Sequence, residues 1–140
     1  MSKVAIVFWS GTGNTQIMAD AVAQGARDAG AEVSVFGPSE FSASMVAEYD
    51  GIAFGCPAMG AEVLEEMEFE PMFASIEGVL SGKKIGLFGS YGWGAGDWMN
   101  EWEARCIGDG AVLAAAPIIA NYAPGDAELA DLNALGKALA

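Results

Sequence analysis

The chain contains no histidine. Its absence removes the side chain that titrates near neutral pH, the commonest general base, the commonest zinc ligand and any Ser-His triad. Cysteine is scarce. Cys56 and Cys106 show neither metal-ligand spacing nor a Cys-x-x-Cys pattern, and both are expected to be reduced thiols. No catalytic constellation and no metal site is expected. No apolar run approaches the roughly 20 residues that cross a bilayer. No signal-peptide layout precedes the first apolar segment, so the cytoplasm is the expected compartment. Basic residues are also few: 6 Lys and Arg stand against 19 Asp and Glu, for a net charge of −13. Such a field repels the phosphates of nucleic acids. From Asp28 to Gly82 there are eleven acids and no bases, with Glu62, Glu65, Glu66, Glu68 and Glu70 grouped closely. This group reads either as a solvated face or as a docking face for basic partners, since a one-signed field speeds encounter.

What remains is an apolar, glycine-rich chain: 140 residues, 53% hydrophobic, with 19 glycines. That size suits one well-buried domain spanning residues 1–140. Strand and helix patterns alternate. Strands are expected at Val4–Trp9, Val33–Phe36, Ile52–Cys56, Ile85–Gly89 and Ala111–Ala120, the last interrupted by Pro117. Helices are expected at four principal places. The first carries Ile17, Met18, Ala21 and Val22; the second has Pro71 in its first turn, with Met72, Phe73, Ile76, Val79 and Leu80 on one face. The third runs from about Asp97 to Cys106, with Trp98 and Trp102 as core residues, and the last begins near Asp126 as its N-cap. A weaker helical segment falls near Ser42–Glu48. Near-continuous apolar strands alternating with amphipathic helices predict a doubly wound α/β fold, a parallel five-stranded sheet covered on both faces. A ligand loop after strand 1, with further loops after strands 3 and 4, places a switch point between strands 1 and 3 and gives the order 2-1-3-4-5.

Three loops carry the chemistry. The first, Ser10-Gly11-Thr12-Gly13-Asn14-Thr15, joins a strand to a helix. Its glycines let backbone N–H groups turn inward, its hydroxyls and amide can donate, and the helix N-terminus adds positive partial charge; it is built to hold a phosphate. It has no Lys or Arg, no Gly-Lys-Ser/Thr ending, and Gln16 where a dinucleotide fingerprint has its third glycine. The second, Pro57-Ala58-Met59-Gly60-Ala61-Glu62, offers a soft Met for a flat π-system, a glycine that permits two peptide orientations, and a carboxylate acceptor. The third, Ser90-Tyr91-Gly92-Trp93-Gly94-Ala95-Gly96, sets two aromatics among glycines, where Trp93 can lie flat on something planar. Together the loops suit a planar, phosphorylated ligand.

With Thr-Gly-Asn-Thr, Ala-Met-Gly-x-Glu and Gly-Ser-Tyr-Gly-Trp-Gly in register along the whole chain, the sequence resembles the flavodoxins, specifically the short-chain kind of anaerobic clostridia and their relatives. The resemblance implies the 2-1-3-4-5 sheet and an FMN cofactor. It also implies that Ser10, Gly11, Thr12, Gly13, Asn14 and Thr15 bind the FMN phosphate with help from Ser90. Ala58 and Asn121 would flank the ribityl chain. Met59 would cover the inner face of the ring and Trp93 the outer face. Glu62 would accept from flavin N3–H, the peptide at Gly60 would turn toward flavin N5, and backbone around Tyr91 and Gly92 would address the pyrimidine edge, with Gly94 also among the cofactor-binding residues. Pro57 stands where many relatives carry a hydroxyl residue.

The function so implied is electron transfer rather than catalysis on a substrate of its own. The chain would be a low-potential one-electron carrier with tightly but non-covalently bound FMN, cycling between semiquinone and hydroquinone. The chain's negative charge, the uncompensated phosphate and stacked walls that exclude water all disfavour an anionic reduced ring, by about 1–3 kcal/mol each. Expected partners are ferredoxin-type redox proteins with basic docking faces, met by a monomer. The alternative is a small FMN-dependent NAD(P)H or quinone oxidoreductase on the same fold, which Trp93 over the outer face disfavours. A receiver-type phosphoryl-sensing module is disfavoured by Phe8-Trp9-Ser10, where clustered acids would be needed.

Overall fold

The computed structural model describes residues 2–11, 13–59, 63–92 and 94–140. Strand β1 (Lys3–Phe8) lies between β2 (Glu32–Phe36) and β3 (Gly51–Gly55); β4 (Lys84–Tyr91) pairs with β3 on its other side. All these pairings are parallel, and the order is β2-β1-β3-β4-β5. The switch point falls between β1 and β3, as the loop positions predict.

The expected fifth strand over 111–120 is corrected to two short ones, β5 (Val112–Leu113) and β6 (Ile118–Asn121). Both pair with β4, β5 with its first residues and β6 with Phe88–Tyr91. Pro117 lacks the N–H that a continuous ladder needs, so the chain leaves the sheet between the two pieces and rejoins it further along.

Five α-helices are seen among the described residues. α1 (Asn14–Asp28) and α5 (Asp126–Leu139) cover one face of the sheet; α3 (Phe69–Ile76) and α4 (Asp97–Gly108) cover the other. The weak segment near Ser42 forms only the four-residue α2 (Ala43–Val46). α3 stops at Ile76 and passes into a 3-10 turn, Glu77–Val79, so Val79, expected on the buried stripe, is 50% exposed. The N-cap of α5 is Gly125 rather than Asp126, because Glu128 reaches back to accept the Gly125 N–H at 2.8 Å.

Alternation along the strands sorts the core. Ala5, Val7, Ile52, Phe54, Ile85 and Leu87 face α3 and α4; Val4, Ile6, Ala53 and Phe88 face α1 and α5. The α3/α4 layer is aromatic: Phe73 packs edge-on to Phe54 and Trp102, and stacks with Phe69. Trp98 and Trp102 are both buried there, as their helical spacing predicts. Arg105 on α4 bonds Glu70 and Glu77 and lies 5.0 Å over the Phe73 ring. The α1/α5 layer is made of small residues and leucines, and its helices approach backbone to backbone. A Cβ on Gly136 would lie 2.1 Å from the Val22 carbonyl oxygen, and one on Gly25 would lie 1.9 Å from that of Asn133.

Candidate functional site

The carboxyl ends of β1, β3, β4 and β6 open into one cleft of about 230 Å³. Each of the four following loops contributes a wall.

From β1, the ladder runs one residue past the strand, with the Trp9 N–H on the Gly55 carbonyl at 3.0 Å. The chain then turns: Ser10 Oγ accepts the Gly13 N–H at 3.1 Å, and Gly13 (φ 97°) starts α1 from the left-handed region. The first turn of α1 has neither a side-chain cap nor an acidic residue. Its leading N–H groups therefore have no carboxylate competing for them. Trp9, Gly11 and Asn14 line the cleft. The Trp9 ring lies against Gly11, where a Cβ would meet Cη2 at 3.0 Å. Its indole N–H donates to Glu68 Oε2 at 2.8 Å, joining the first loop to the chain after β3.

From β3, Pro57, Ala58 and Met59 form the second wall. The Ala58 N–H donates to the Ser90 carbonyl at 3.0 Å, and Met59 and Val63 exchange two backbone bonds at 2.9 and 3.0 Å in an antiparallel bridge. Beyond it Glu65, only 5% exposed, accepts the N–H groups of Met67, Glu68 and Phe69 at 2.7–2.9 Å. Burial alone would raise the Glu65 carboxyl, but these three donors outweigh it and hold it below the usual range. Cys56 is buried beneath this loop and accepts the Glu65 N–H. Burial pushes its thiol up to about 12, and does the same to Cys106, so neither offers a thiolate. This agrees with two inert reduced thiols.

From β4, Ser90, Tyr91 and Gly92 form the third wall. Ser90 Oγ lies 3.4 Å from Oγ1 of Thr15, itself 1% exposed, so the two hydroxyls meet beneath the first loop. Gly94 and Gly96, both at φ 88°, turn the chain into α4. From β6, Tyr122 closes the fourth side.

Of the residues expected at a ligand site, Gly11, Asn14, Ala58, Met59, Ser90, Tyr91 and Gly92 line this cleft. Ser10, Gly13 and Thr15 shape the loop behind it. Asn121 is exposed and its amide donates to the Tyr91 carbonyl at 3.3 Å. Gly94 lies further along the β4 loop. Thr12, Gly60, Glu62 and Trp93 lie outside the described residues. The sequence pattern missed Trp9 and Tyr122. Trp9 was readable as the last residue before the anion loop; Tyr122 was not, because only the β4–β6 pairing brings it beside Gly92.

The expected acidic docking group is partly structural: Glu65 caps α3, Glu68 holds Trp9 and Glu70 pairs with Arg105, while Glu66 is exposed. Among the described residues no Lys or Arg lines the cleft. Uncharged donors at a helix N-terminus suit a phosphate, and a slot walled by Trp, Met and Tyr carbons suits a flat ring; the donor set fits FMN.

Residues 6–131 match the family model described as Flavodoxin. The chain is 45% identical over 135 residues to a flavodoxin of Clostridium beijerinckii, covering 96% of this chain and 97% of that one. It is 44% identical over 137 residues to a flavodoxin of Megasphaera elsdenii, with 98% of each covered. The solution structure of two-electron reduced Megasphaera elsdenii flavodoxin superposes with a TM-score of 0.90 at 43% identity, over 97% of both chains. Oxidised Flavodoxin 1 of Bacillus cereus superposes at 0.86 with 26% identity, over 99% of this chain and 97% of that one. The chain belongs to the flavodoxin family, in its short-chain anaerobic branch, and is a small FMN-binding electron carrier rather than a catalyst.

Proposed function

We propose that residues 1–140 act as one domain that carries single electrons at low potential, with FMN held in the cleft at the carboxyl ends of β1, β3, β4 and β6. One observation carries the reading. An anion loop of uncharged donors at the start of α1 opens into an apolar slot whose lining, among the described residues, includes no cation. Bound FMN supplies the electron-accepting ring; the chain holds it, keeps water from it and sets the charge around it.

In this reading Ser10, Gly11, Thr12, Gly13, Asn14 and Thr15, backed by Ser90, hold the phosphate. Ala58 and Asn121 flank the ribityl chain, Met59 and Trp93 cover the two ring faces, and Gly60, Glu62, Tyr91, Gly92 and Gly94 serve its edges. A phosphate dianion gripped without a cation keeps its charge, and Glu65 and Glu68 add more nearby. Such charges disfavour added negative charge on the ring. That supports the low potential.

The partners are redox proteins with basic docking faces, met by a monomer in the cytoplasm. No helix among the described residues is long and apolar enough to cross a membrane. The net charge of −13 makes that encounter salt-dependent.

The test is an anaerobic reductive titration of the purified protein followed in the visible range. Two resolved one-electron steps, with FMN released by acid, are expected. Bleaching in a single two-electron step, with steady NAD(P)H consumption when a quinone is added, would replace the carrier with the reductase alternative.

A further inference from the structure

Tyr122 follows β6 and is the positive-φ non-glycine residue among those described, at φ 57°. A bulky aromatic rarely occupies the left-handed region, and a turn that needed only the backbone would take Gly or Asn. The conformation is held by the Tyr122 N–H on the Tyr91 carbonyl at 2.8 Å, continuing the Tyr91↔Asn121 register by one residue. The core does not explain it: the residue is 62% exposed. What the strained turn achieves is placement. The Tyr122 ring reaches across Gly92, where a Cβ would meet Cε1 at 3.2 Å and the hydroxyl oxygen at 3.5 Å. A side chain at position 92 would crowd the ring, and Tyr122 lines the same cleft as Trp9 and Met59.

Resting on the reading of this cleft as a flavin site, we infer that Tyr122 is a ligand-contacting residue. Its ring, cantilevered from a strained backbone over Gly92, forms the fourth wall at the mouth of the cleft and slows escape of the bound flavin. Backbone strain concentrates where a function over-determines the conformation. Here strain, exposure and cleft lining coincide on one side chain. The contact is made by the aromatic ring rather than the hydroxyl, because Tyr122 shares the cleft lining with the largely apolar side chains of Trp9, Pro57 and Met59.

The experiment uses the full chain freed of flavin, titrated with FMN by quenching of flavin fluorescence, beside thermal unfolding without FMN. Tyr122→Asn, which tolerates the left-handed region, should raise the Kd about tenfold, the loss expected for partial burial of one ring. Its flavin-free Tm should equal that of the natural chain or exceed it by about 2 °C, as strain is released. Tyr122→Phe should keep the Kd within about twofold. An unchanged Kd in Tyr122→Asn overturns the inference. So does a loss in Tyr122→Phe as large as in Tyr122→Asn, or a flavin-free Tm that falls along with the affinity, which would make the residue structural. A natural chain that binds no FMN would overturn the reading of the cleft, and this inference with it.

Discussion

The two faces of the sheet are packed by different means. Between the sheet and α3/α4 the space is filled by rings: Phe54, Phe69, Phe73 and Trp102 pack edge to face or stacked, with Trp98 buried in the same layer. Between the sheet and α1/α5 it is closed by approach, with Gly25 and Gly136 letting the helix backbones touch and Gly51 and Gly86 letting Leu139 and Leu135 sit against the strands. The difference tracks what each layer carries. α1 begins in the anion loop, so its axial position sets where the leading N–H groups point, and backbone contact with α5 allows it little play. α3 and α4 are pinned individually, by Glu65, by the Glu68–Trp9 bond and by the Trp98 indole on the Cys56 carbonyl at 3.2 Å. One face positions by contact of main chains; the other fills volume and leaves positioning to hydrogen bonds.

If that contrast is right, the aromatic layer should be sensitive to lost volume. Phe73→Ala removes the ring shared by Phe54, Phe69 and Trp102 and the surface under Arg105. It should cost about 3–5 kcal/mol in urea unfolding, whereas Phe73→Leu, which refills most of the space, should cost less than half of that. Equal costs would mean that ring geometry, not volume, holds this layer.

The small-residue layer should be sensitive instead to volume gained. Gly136→Ala adds one methyl where the Val22 carbonyl and the Ala26 nitrogen leave no room, at 2.1 and 2.7 Å. It should destabilise by about 3 kcal/mol and also weaken FMN binding, since α1 must shift to make space. Gly78→Ala, with nothing within 4 Å, is the matched control and should be neutral or slightly stabilising. A Gly136→Ala chain that keeps its FMN affinity would separate the helix crossing from the anion loop.

The smallest effect tests the pinning. Glu65→Gln keeps the shape but not the charge of the buried α3 cap, and should cost about 2 kcal/mol at neutral pH. The folded-state carboxyl titrates below its ordinary value of 4.5. Its contribution is therefore complete above that value and is lost as the pH falls through the lowered folded value. The stability gap between the natural chain and the Glu65→Gln variant should close on acidification below about pH 4.5. A gap that widens would refute the capping role.

Much of this architecture was legible in the linear pattern. Apolar runs four to six residues long placed the first four strands, and helical spacing placed Trp98 and Trp102 in the core, because a packed interior leaves their period no alternative. The anion loop was legible because glycines, hydroxyls and an amide between strand and helix have few other uses. Less legible was anything decided by partners distant in sequence. Pro117 marked an interruption, but not that both halves would pair with β4. The acids near Glu65 looked alike, yet one is buried under three N–H donors, one fastens a tryptophan and one meets an arginine.

By itself the amino-acid sequence determined the layer order, the switch point and the family, because those follow from local periodicity and from short motifs whose residues act on their own backbone. Only the tertiary structure decided which side chains wall the cleft. Trp9 is turned into place by a carboxylate 59 residues away, and Tyr122 is set across Gly92 by the ladder between β4 and β6. Those positions depend on contacts that exist only once the sheet has formed, which is why no local pattern announces them.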